Sequence, residues 1–417
     1  MNFIYDVTVI GGGPAGLAAA KGAAGKGASV LIIERESLLG GILKQCIHDG
    51  FGLHRYHRTM TGPEYAEAEY QNISKFPIDI STETYVLQII KKSDSYELHT
   101  TSKHGFRRVQ TRNIILATGC RERTARQVFI HGTRPAGIFT AGSAQYFINR
   151  MGYLPTKRCI ILGSGDVGLI MARRLTLEGA KVLGVFEAKS EPSGLTRNLH
   201  QCLEDFQIPL SLSTTVTKVF GEERLNAVEV SQVDACMNPI QGTEKIIECD
   251  GLILSVGLIP ENEQAELINV QMDSSTHGPI ITQDYMTSVS GVYSVGNALQ
   301  VHDLVDYVSE GAEYAGIAAA QSQKNQPMIL SIHKGNGIAT LVPQCLNINL
   351  PYQNVMTYFR VDRSYRSATL KIFVNNQLIL SKRLVNARPP EMVRIVVPYP
   401  NLSKDSSIRW ILEEDIL

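Results

Sequence analysis

Neither sign of charge is in excess along this 417-residue chain: forty Lys and Arg balance forty Asp and Glu. Without a cationic surplus there is nothing to displace condensed counterions, so non-specific nucleic-acid binding is disfavoured. Polybasic attachment to anionic membranes is disfavoured for the same reason, and no block of like charges suggests an acidic tail. Cysteine is sparse and scattered, at positions 46, 120, 159, 202, 236, 249 and 345, with the closest pair thirteen positions apart. No C-x-x-C or C-x4-C occurs, which argues against zinc ribbons, self-contained iron–sulfur sites and sequence-local redox dithiols. An odd count with no framework reads as reduced, intracellular cysteine. Long uninterrupted apolar runs are missing too. Val7 to Ala24 is rich in small and apolar residues, but glycines break it and no basic segment precedes it. It reads neither as a signal peptide nor as a membrane span, so the expectation is a soluble, cytoplasmic chain with no transmembrane segment. His48, His54 and His57 lack helical i, i+4 spacing and have no Cys or acidic cluster beside them, so no metal site is expected.

What is present is organised by glycine. Asp6 to Ile10 is a β-branched run that ends in glycines, Pro14 to Ala24 is alanine-rich, and Ser29 to Ile33 is apolar and ends at Glu34. This is strand, tight turn, helix, strand: one βαβ unit. The grammar returns about 150 residues later with Arg158 to Leu162, Gly163 to Gly168, Leu169 to Glu178, and Lys181 to Phe186 ending at Glu187. Between the units, Thr82 to Ile90, Glu97 to Thr101 and Arg107 to Val109 read as hairpin strands, and Asn113 to Ala117 as a buried strand leading into Thr118-Gly119. From about Pro327 no long helical period remains; Ala368 to Val374, Asn375-Asn376 and Leu378 to Leu384 read as a hairpin whose Asn-Asn turn reaches positive φ cheaply.

Gly11-Gly12-Gly13-Pro14-Ala15-Gly16 fits G-x-G-x-x-G, and Glu34 follows its last glycine by eighteen positions. The first glycine permits the tight turn, the second lets backbone approach a pyrophosphate, and the third allows close helix–strand packing. The helix N-terminus faces the phosphates and the carboxylate accepts from ribose hydroxyls. Gly163-Ser164-Gly165-Asp166-Val167-Gly168 meets the same criteria, with Glu187 nineteen positions on. A carboxylate there repels a 2′-phosphate, which favours NAD(H) over NADP(H).

These residues carry a resemblance. The chain resembles the two-dinucleotide flavoproteins of the pyridine nucleotide-disulfide oxidoreductase type over about residues 4 to 325. The shared motifs are the two glycine turns, Ile114 to Gly119, Asp250 to Pro260, and Gly291 to Asn297. The resemblance implies an α/β fold with two Rossmann-like domains: an FAD domain over 1–124 and 255–326, split by an NAD domain over 125–254. A small β-rich domain over 327–417 follows. It implies FAD on Gly11, Gly13, Pro14, Ala15, Gly16, Glu34, Arg35, Gly41, Val86, Ala117, Thr118, Gly119, Gly296 and Asn297. The nicotinamide nucleotide falls to Gly163, Gly165, Asp166, Val167, Gly168, Glu187 and Gly257.

The departures are as telling. Where disulfide-reducing members carry a cysteine pair after the glycines at Gly40-Gly41, this chain has Leu43 and His48 with a lone Cys46 between. The second-domain pair of thioredoxin reductases is missing, and the usual Gly-Asp is Gly296-Asn297, which keeps hydrogen-bonding capacity but loses the charge. Gly40 to Leu53, Thr61 to Tyr65 and Gly296 to Asp306 are similar to flavoprotein subunits accompanying glycerol-3-phosphate, opine, proline and sarcosine dehydrogenases. The resemblance makes Cys46 a candidate thiolate or charge-transfer partner, with a buried apolar cysteine as the alternative. His48 and His302 are candidate proton carriers, with hydrogen-bonded loop histidines as the alternative. Asp303, Asp306 and Ser309 read as turn and cap residues of a helix from Ser309 to Gln323, whose N-terminus the resemblance aims at the flavin's pyrimidine edge. The expected function is an NAD(H)-linked FAD oxidoreductase passing hydride between nicotinamide C4 and flavin N5, serving as the electron-transfer subunit of a heteromeric dehydrogenase with a dehydrogenase or iron–sulfur partner. A free-standing NADH:acceptor oxidoreductase and a non-catalytic adenine-nucleotide scaffold are the alternatives, and a homodimer follows from the resemblance.

Overall fold

A computed structural model of the chain describes residues 3–322 and 327–415. The chain folds as two compact units, Met1–Cys120 with Pro260–Leu417, and Arg121–Ile259. The first opens with β1 (Ile4–Ile10), α1 (Pro14–Ala24), β2 (Val30–Ile33), α2 (Gly62–Ile73), β3 (Ile78–Ser81), β4 (Thr84–Lys91), β5 (Tyr96–Ser102) and β6 (Gly105–Leu116). Their strand order is β3-β2-β1-β6-β5-β4, parallel from β3 to β6 and antiparallel beyond. The two runs expected at 107–109 and 113–117 are one strand, because β6 pairs with β5 along its first half and with β1 along its second.

α1 begins where Pro14, with no N–H to lose and φ already set, follows an extended Gly13. α2 is started by a capping box: Thr61 N–H donates to Glu64 Oε2 at 2.7 Å and Glu64 N–H returns to Thr61 Oγ1.

The second unit contains β7 (Ile138–Thr140), α3 (Ala141–Met151), β8 (Arg158–Leu162), α4 (Asp166–Leu177), β9 (Lys181–Phe186), β10 (Leu210–Ser211), β11 (Thr214–Gly221), β12 (Leu225–Gln232), β13 (Lys245–Glu248) and β14 (Gly251–Leu254). A fully parallel sheet runs β10-β9-β8-β14-β7, and β13-β12-β11 form an antiparallel meander. β8 is buried at Cys159, Ile160, Ile161 and Leu162, which is why it reads as an unbroken apolar run.

The first unit resumes with β15 (Val292–Ser294), parallel to β6, and α5 (Val305–Ala320). The expected helix from Ser309 to Gln323 therefore begins four residues early, and its expected end at Gln323 lies outside the described residues. Eight further strands follow: β16 (Ile329–Lys334), β17 (Ile338–Val342), β18 (Cys345–Asn347), β19 (Val355–Val361), β20 (Tyr365–Val374), β21 (Gln377–Ala387), β22 (Val393–Val397) and β23 (Ile408–Glu414). They form sheets ordered β18-β16-β23-β20-β21 and β17-β19-β22. Their core is built on Phe359, Leu370, Ile372 and Trp410, the single tryptophan, whose Nε1–H donates to Tyr399 Oη at 3.2 Å. The β20–β21 hairpin turns at Asn375 and Asn376, both at positive φ. The expected boundary at residue 326 lies outside the described residues.

Candidate functional site

In the first unit the ends of β1, β6 and β15 converge on one glycine turn, the place where an open parallel sheet takes its ligand. A Cβ on Gly11 would lie 2.3 Å from Ala117 O, and one on Gly16 only 1.8 Å from Gly11 O. Those two glycines are required by backbone packing. Gly13 is different: a Cβ there would meet nothing nearer than Gly41 Cα at 3.9 Å. The open face at the start of an eleven-residue helix is the shape of a pyrophosphate cradle. Gly41 lies over Gly13, Gly296 packs against Ala15, and Thr118 Oγ1 donates to Glu261 O at 2.6 Å, so Gly11–Gly16, Gly41, Ala117–Gly119 and Gly296 come together. Glu34 is buried; its Oε2 accepts from Gly12 N–H at 2.6 Å and its Oε1 from Glu36 N–H at 2.8 Å.

The second unit repeats the backbone part of this arrangement. Glu187, also buried, accepts from Ser164 N–H at 3.0 Å on Oε2 and from Lys189 N–H at 3.1 Å on Oε1. Gly163 is tight against Ser255 O, and Gly165 opens α4 with Ser255 Oγ as the nearest atom to a would-be Cβ, at 3.3 Å. Both turns fit the phosphates and ribose of a dinucleotide. Asp166 spends its Oδ1 on Leu195 N–H and Asn198 Nδ2, at 2.9 and 2.7 Å, while Val167 is exposed. Gly257 takes φ +101° with its open face toward Arg123. Arg35 is exposed, and Val86 lends its carbonyl to Gln264 Nε2.

The candidates for direct chemistry fall in different surroundings, Cys46 in that of a buried apolar cysteine and His48 in that of a hydrogen-bonded loop histidine. Cys46 Sγ donates to Ile42 O at 3.4 Å, and a Cβ on Gly62 would lie 2.8 Å from Cys46 Cβ. Burial pushes its thiol up to about 12, so it is a packed thiol and no thiolate at neutral pH. His48 Nδ1 lies 2.9 Å from Asp49 O and donates to it, and the ring packs on Phe51. His302 lies against Tyr358, and burial lowers it to about 4. A ring neutral at physiological pH is no proton donor there.

Asn297 closes its own loop, its Oδ1 accepting from His302 N–H at 3.1 Å and its Nδ2 reaching Cys120 Sγ. Asp306 and Ser309 do not cap. Asp306 is buried and accepts from Gly52, His54 and Arg55 N–H, and Ser309 accepts from Tyr65 Oη at 2.9 Å. Asp303 pairs with Arg360.

Sequence reasoning missed a half-buried network in which Arg55 joins Glu313 and the fully buried Glu69, with Tyr56 Oη donating to Glu69. Nothing local to either segment announces it. None of the seven cysteines is in a disulfide. Among the described residues no group of three His, Cys, Asp or Glu gathers, and no helix is long and apolar enough to cross a membrane.

Comparison with known proteins gives a consistent frame. The profile of the family described as pyridine nucleotide-disulphide oxidoreductase matches residues 5–338, which leaves 339–417 outside it. An opine oxidase subunit from Agrobacterium tumefaciens (strain Ach5) is 23% identical over 340 residues, covering 77% of this chain and 65% of that protein, so the match spans under two thirds of the relative's length. Ferredoxin–NADP reductase of Leuconostoc citreum (strain KM20) is 25% identical over 313 residues, covering 74% of this chain and 88% of that one. Thioredoxin reductase of T. acidophilum superposes with a TM-score of 0.62 at 20% identity, covering 76% of this chain and 98% of that chain; at this identity the likeness concerns the fold.

Proposed function

The chain belongs to the pyridine nucleotide-disulphide oxidoreductase family and is an FAD-dependent oxidoreductase of pyridine nucleotides; from that premise we propose that it takes electrons from NADH and hands them to a separate dehydrogenase or iron–sulfur subunit, or accepts them from one. The observation that carries the two-cofactor reading is the repeat of one geometry in both units, a glycine at the helix start beside a carboxylate held by the turn's own N–H; Gly13 is open and Gly165 is flanked by Ser255. Gly13 and Gly165 are the N-cap glycines of α1 and α4, where backbone N–H groups would meet pyrophosphates, and Glu34 and Glu187 would accept from ribose hydroxyls. Bound FAD supplies the two-electron acceptor for a nicotinamide hydride.

NADH is our reading for the second site because Glu187 is a fixed carboxylate where a 2′-phosphate would otherwise sit. Several relatives are named as NADP reductases, which makes this a sharp point of test. The electron-transfer role is supported by cysteines that form no disulfide, among which Cys46 is held as a thiol, and by a relative that is itself named as a subunit of an opine oxidase. Glycerol 3-phosphate or an amino-acid-derived amine is the substrate class we assign to the partner.

The deciding experiment is an anaerobic visible spectrum of the purified flavoprotein titrated with NADH, then NADPH. Bleaching by NADH ahead of NADPH is the expected result. Bleaching by NADPH first removes the nucleotide assignment. A flavin that stays oxidised with either nucleotide removes the hydride role and leaves an adenine-nucleotide scaffold. Rapid steady-state NADH oxidation with a quinone or dye and no partner would replace the subunit reading with a free-standing NADH:acceptor oxidoreductase.

A further inference from the structure

The two glycine turns differ at three positions, and the first of these, Gly12 against Ser164, extends to a segment no motif predicts. In the first unit the middle residue is Gly12, where a Cβ would collide with Leu39 Cδ2 at 2.4 Å, so Glu34 receives only backbone donors. In the second it is Ser164, completely buried, whose hydroxyl donates to Glu187 Oε2 at 2.5 Å. Ser193 Oγ donates to the same oxygen at 3.1 Å, and Ser193 N–H donates back to Ser164 Oγ at 2.8 Å. Oε2 thus meets three donors and is saturated, whereas Oε1 meets only Lys189 N–H and keeps capacity for a ribose hydroxyl.

The segment bearing Ser193 is itself pinned. Leu195 N–H and Asn198 Nδ2 both donate to Asp166 at the first turn of α4, and a Cβ on Gly194 would lie 2.7 Å from Ser164 O and 2.5 Å from Leu169 Cδ1. Residues 193–195 therefore lie directly on the glycine turn.

We propose that Ser193 and Ser164 are positioning residues that set nucleotide choice, by locking the Glu187 carboxylate so that it offers one oxygen to a ribose hydroxyl and cannot swing aside for a 2′-phosphate. This rests on the reading of the second unit as the NADH site. Without the two hydroxyls Glu187 would keep only Ser164 N–H and Lys189 N–H, the same backbone pair that holds Glu34 in the first unit; the hydroxyls add two donors on Oε2 and tighten that hold. Held, it keeps its charge where the phosphate would have to be accommodated, so discrimination is a property of the trio.

Ser193→Ala is the clean test, because Ser193 N–H, Leu195 N–H and Asn198 keep the segment in place when the hydroxyl goes. Equilibrium binding of NAD+ and of NADP+ is measured on the FAD-loaded wild type, S193A, S164A and S193T. In the wild type NAD+ binds the tighter. S193A weakens NAD+ binding about fivefold, the worth of one such hydrogen bond. It leaves NADP+ unchanged or tighter, so the selectivity ratio falls; S164A lowers it further and S193T restores it. FAD content stays at the wild-type level in S193A, a readout that global disruption would move. A wild type that prefers NADP+ overturns the nucleotide assignment beneath the proposal. A wild type that prefers NAD+ with an unchanged ratio in S193A and S164A overturns the positioning role itself, as does equal weakening of both nucleotides.

Discussion

His302 illustrates how one residue's surroundings decide its chemistry. Its ring packs edge-on to Tyr358, and its backbone N–H is tied to Asn297. Burial lowers its affinity for a proton to a value of about 4; the charge of Arg360 pushes the same way and the Gln300 backbone opposes it. The unfolded chain, with an ordinary histidine near 6.5, therefore binds the extra proton between pH 6.5 and 4 while the folded chain does not. Stability from this residue is intact above pH 6.5 and is lost as pH falls toward 4. Replacing it, as in His302→Asn, is expected to shrink the drop in Tm between pH 7 and pH 4.5 relative to wild type. Melting curves across that range check this, and an equal drop in both proteins would deny the ring its buried, neutral state. The sequence motif could mark His302 as unusual, but its proton affinity depends on Tyr358 and Arg360, more than fifty residues away along the chain.

At the scale of elements, the contact that shapes the first unit is between α1 and α5. A Cβ on Gly22 would lie 2.2 Å from Glu313 O, and one on Gly316 2.0 Å from Ala19 O, so the two backbones touch. Lys21 and Glu313 close the same face with an ion pair at 2.8 Å. Alanine favours a helix over glycine by about 1 kcal/mol, so an unpacked Gly316→Ala would stabilise. Here the methyl group forces the helices apart at a cost of roughly 1–3 kcal/mol, which wins. Chemical denaturation is expected to show G316A as the less stable protein; a gain would mean the helices have room. Local grammar locates α1 to the residue, because Gly-Pro at its start and glycine at its end are signals carried by the segment itself. The same grammar misplaces the start of α5 for the opposite reason. Asp306 and Ser309 have the composition of caps, yet their oxygens serve the 52–55 turn and Tyr65, partners that no local pattern names. The glycine cradles are likewise legible from spacing, whereas Ser193, Arg55 and Glu69 act through contacts between distant segments.

For the molecule as a whole, the strands beyond residue 327 are bound to the flavin-binding part by an apolar cluster of Ile281, Leu299 and Val342 and by polar clasps. Arg360 on β19 is the most connected: its guanidinium donates to Val301 O at 3.1 Å, to Pro390 O, and to Asp303, whose other oxygen accepts from Met392 N–H at 2.6 Å. Both side chains of the ion pair are only 18% exposed, so solvent screens them weakly. Arg394 adds a second clasp, paired with Glu310 and lying over the Tyr307 ring. Residues 301–304 lead straight into the first turn of α5, and Val308 in that turn lies beside Gly296. An element outside the family match thus holds a segment bordering the cofactor cradle. Arg360→Met leaves the Asp303 carboxylate with Met392 N–H but without its counter-charge, and takes the guanidinium from the carbonyls of Val301 and Pro390, which is expected to cost roughly 2–3 kcal/mol. It should also speed FAD release measured by flavin fluorescence, since the segment beside Gly296 loses its hold. Asp303→Asn alone should be milder, and the double variant should cost less than the sum of the two, with a coupling of about 1–3 kcal/mol. Strict additivity, or FAD release at the wild-type rate in R360M, would reduce the C-terminal strands to a passive appendage; coupling with faster release makes them part of how this chain keeps its flavin.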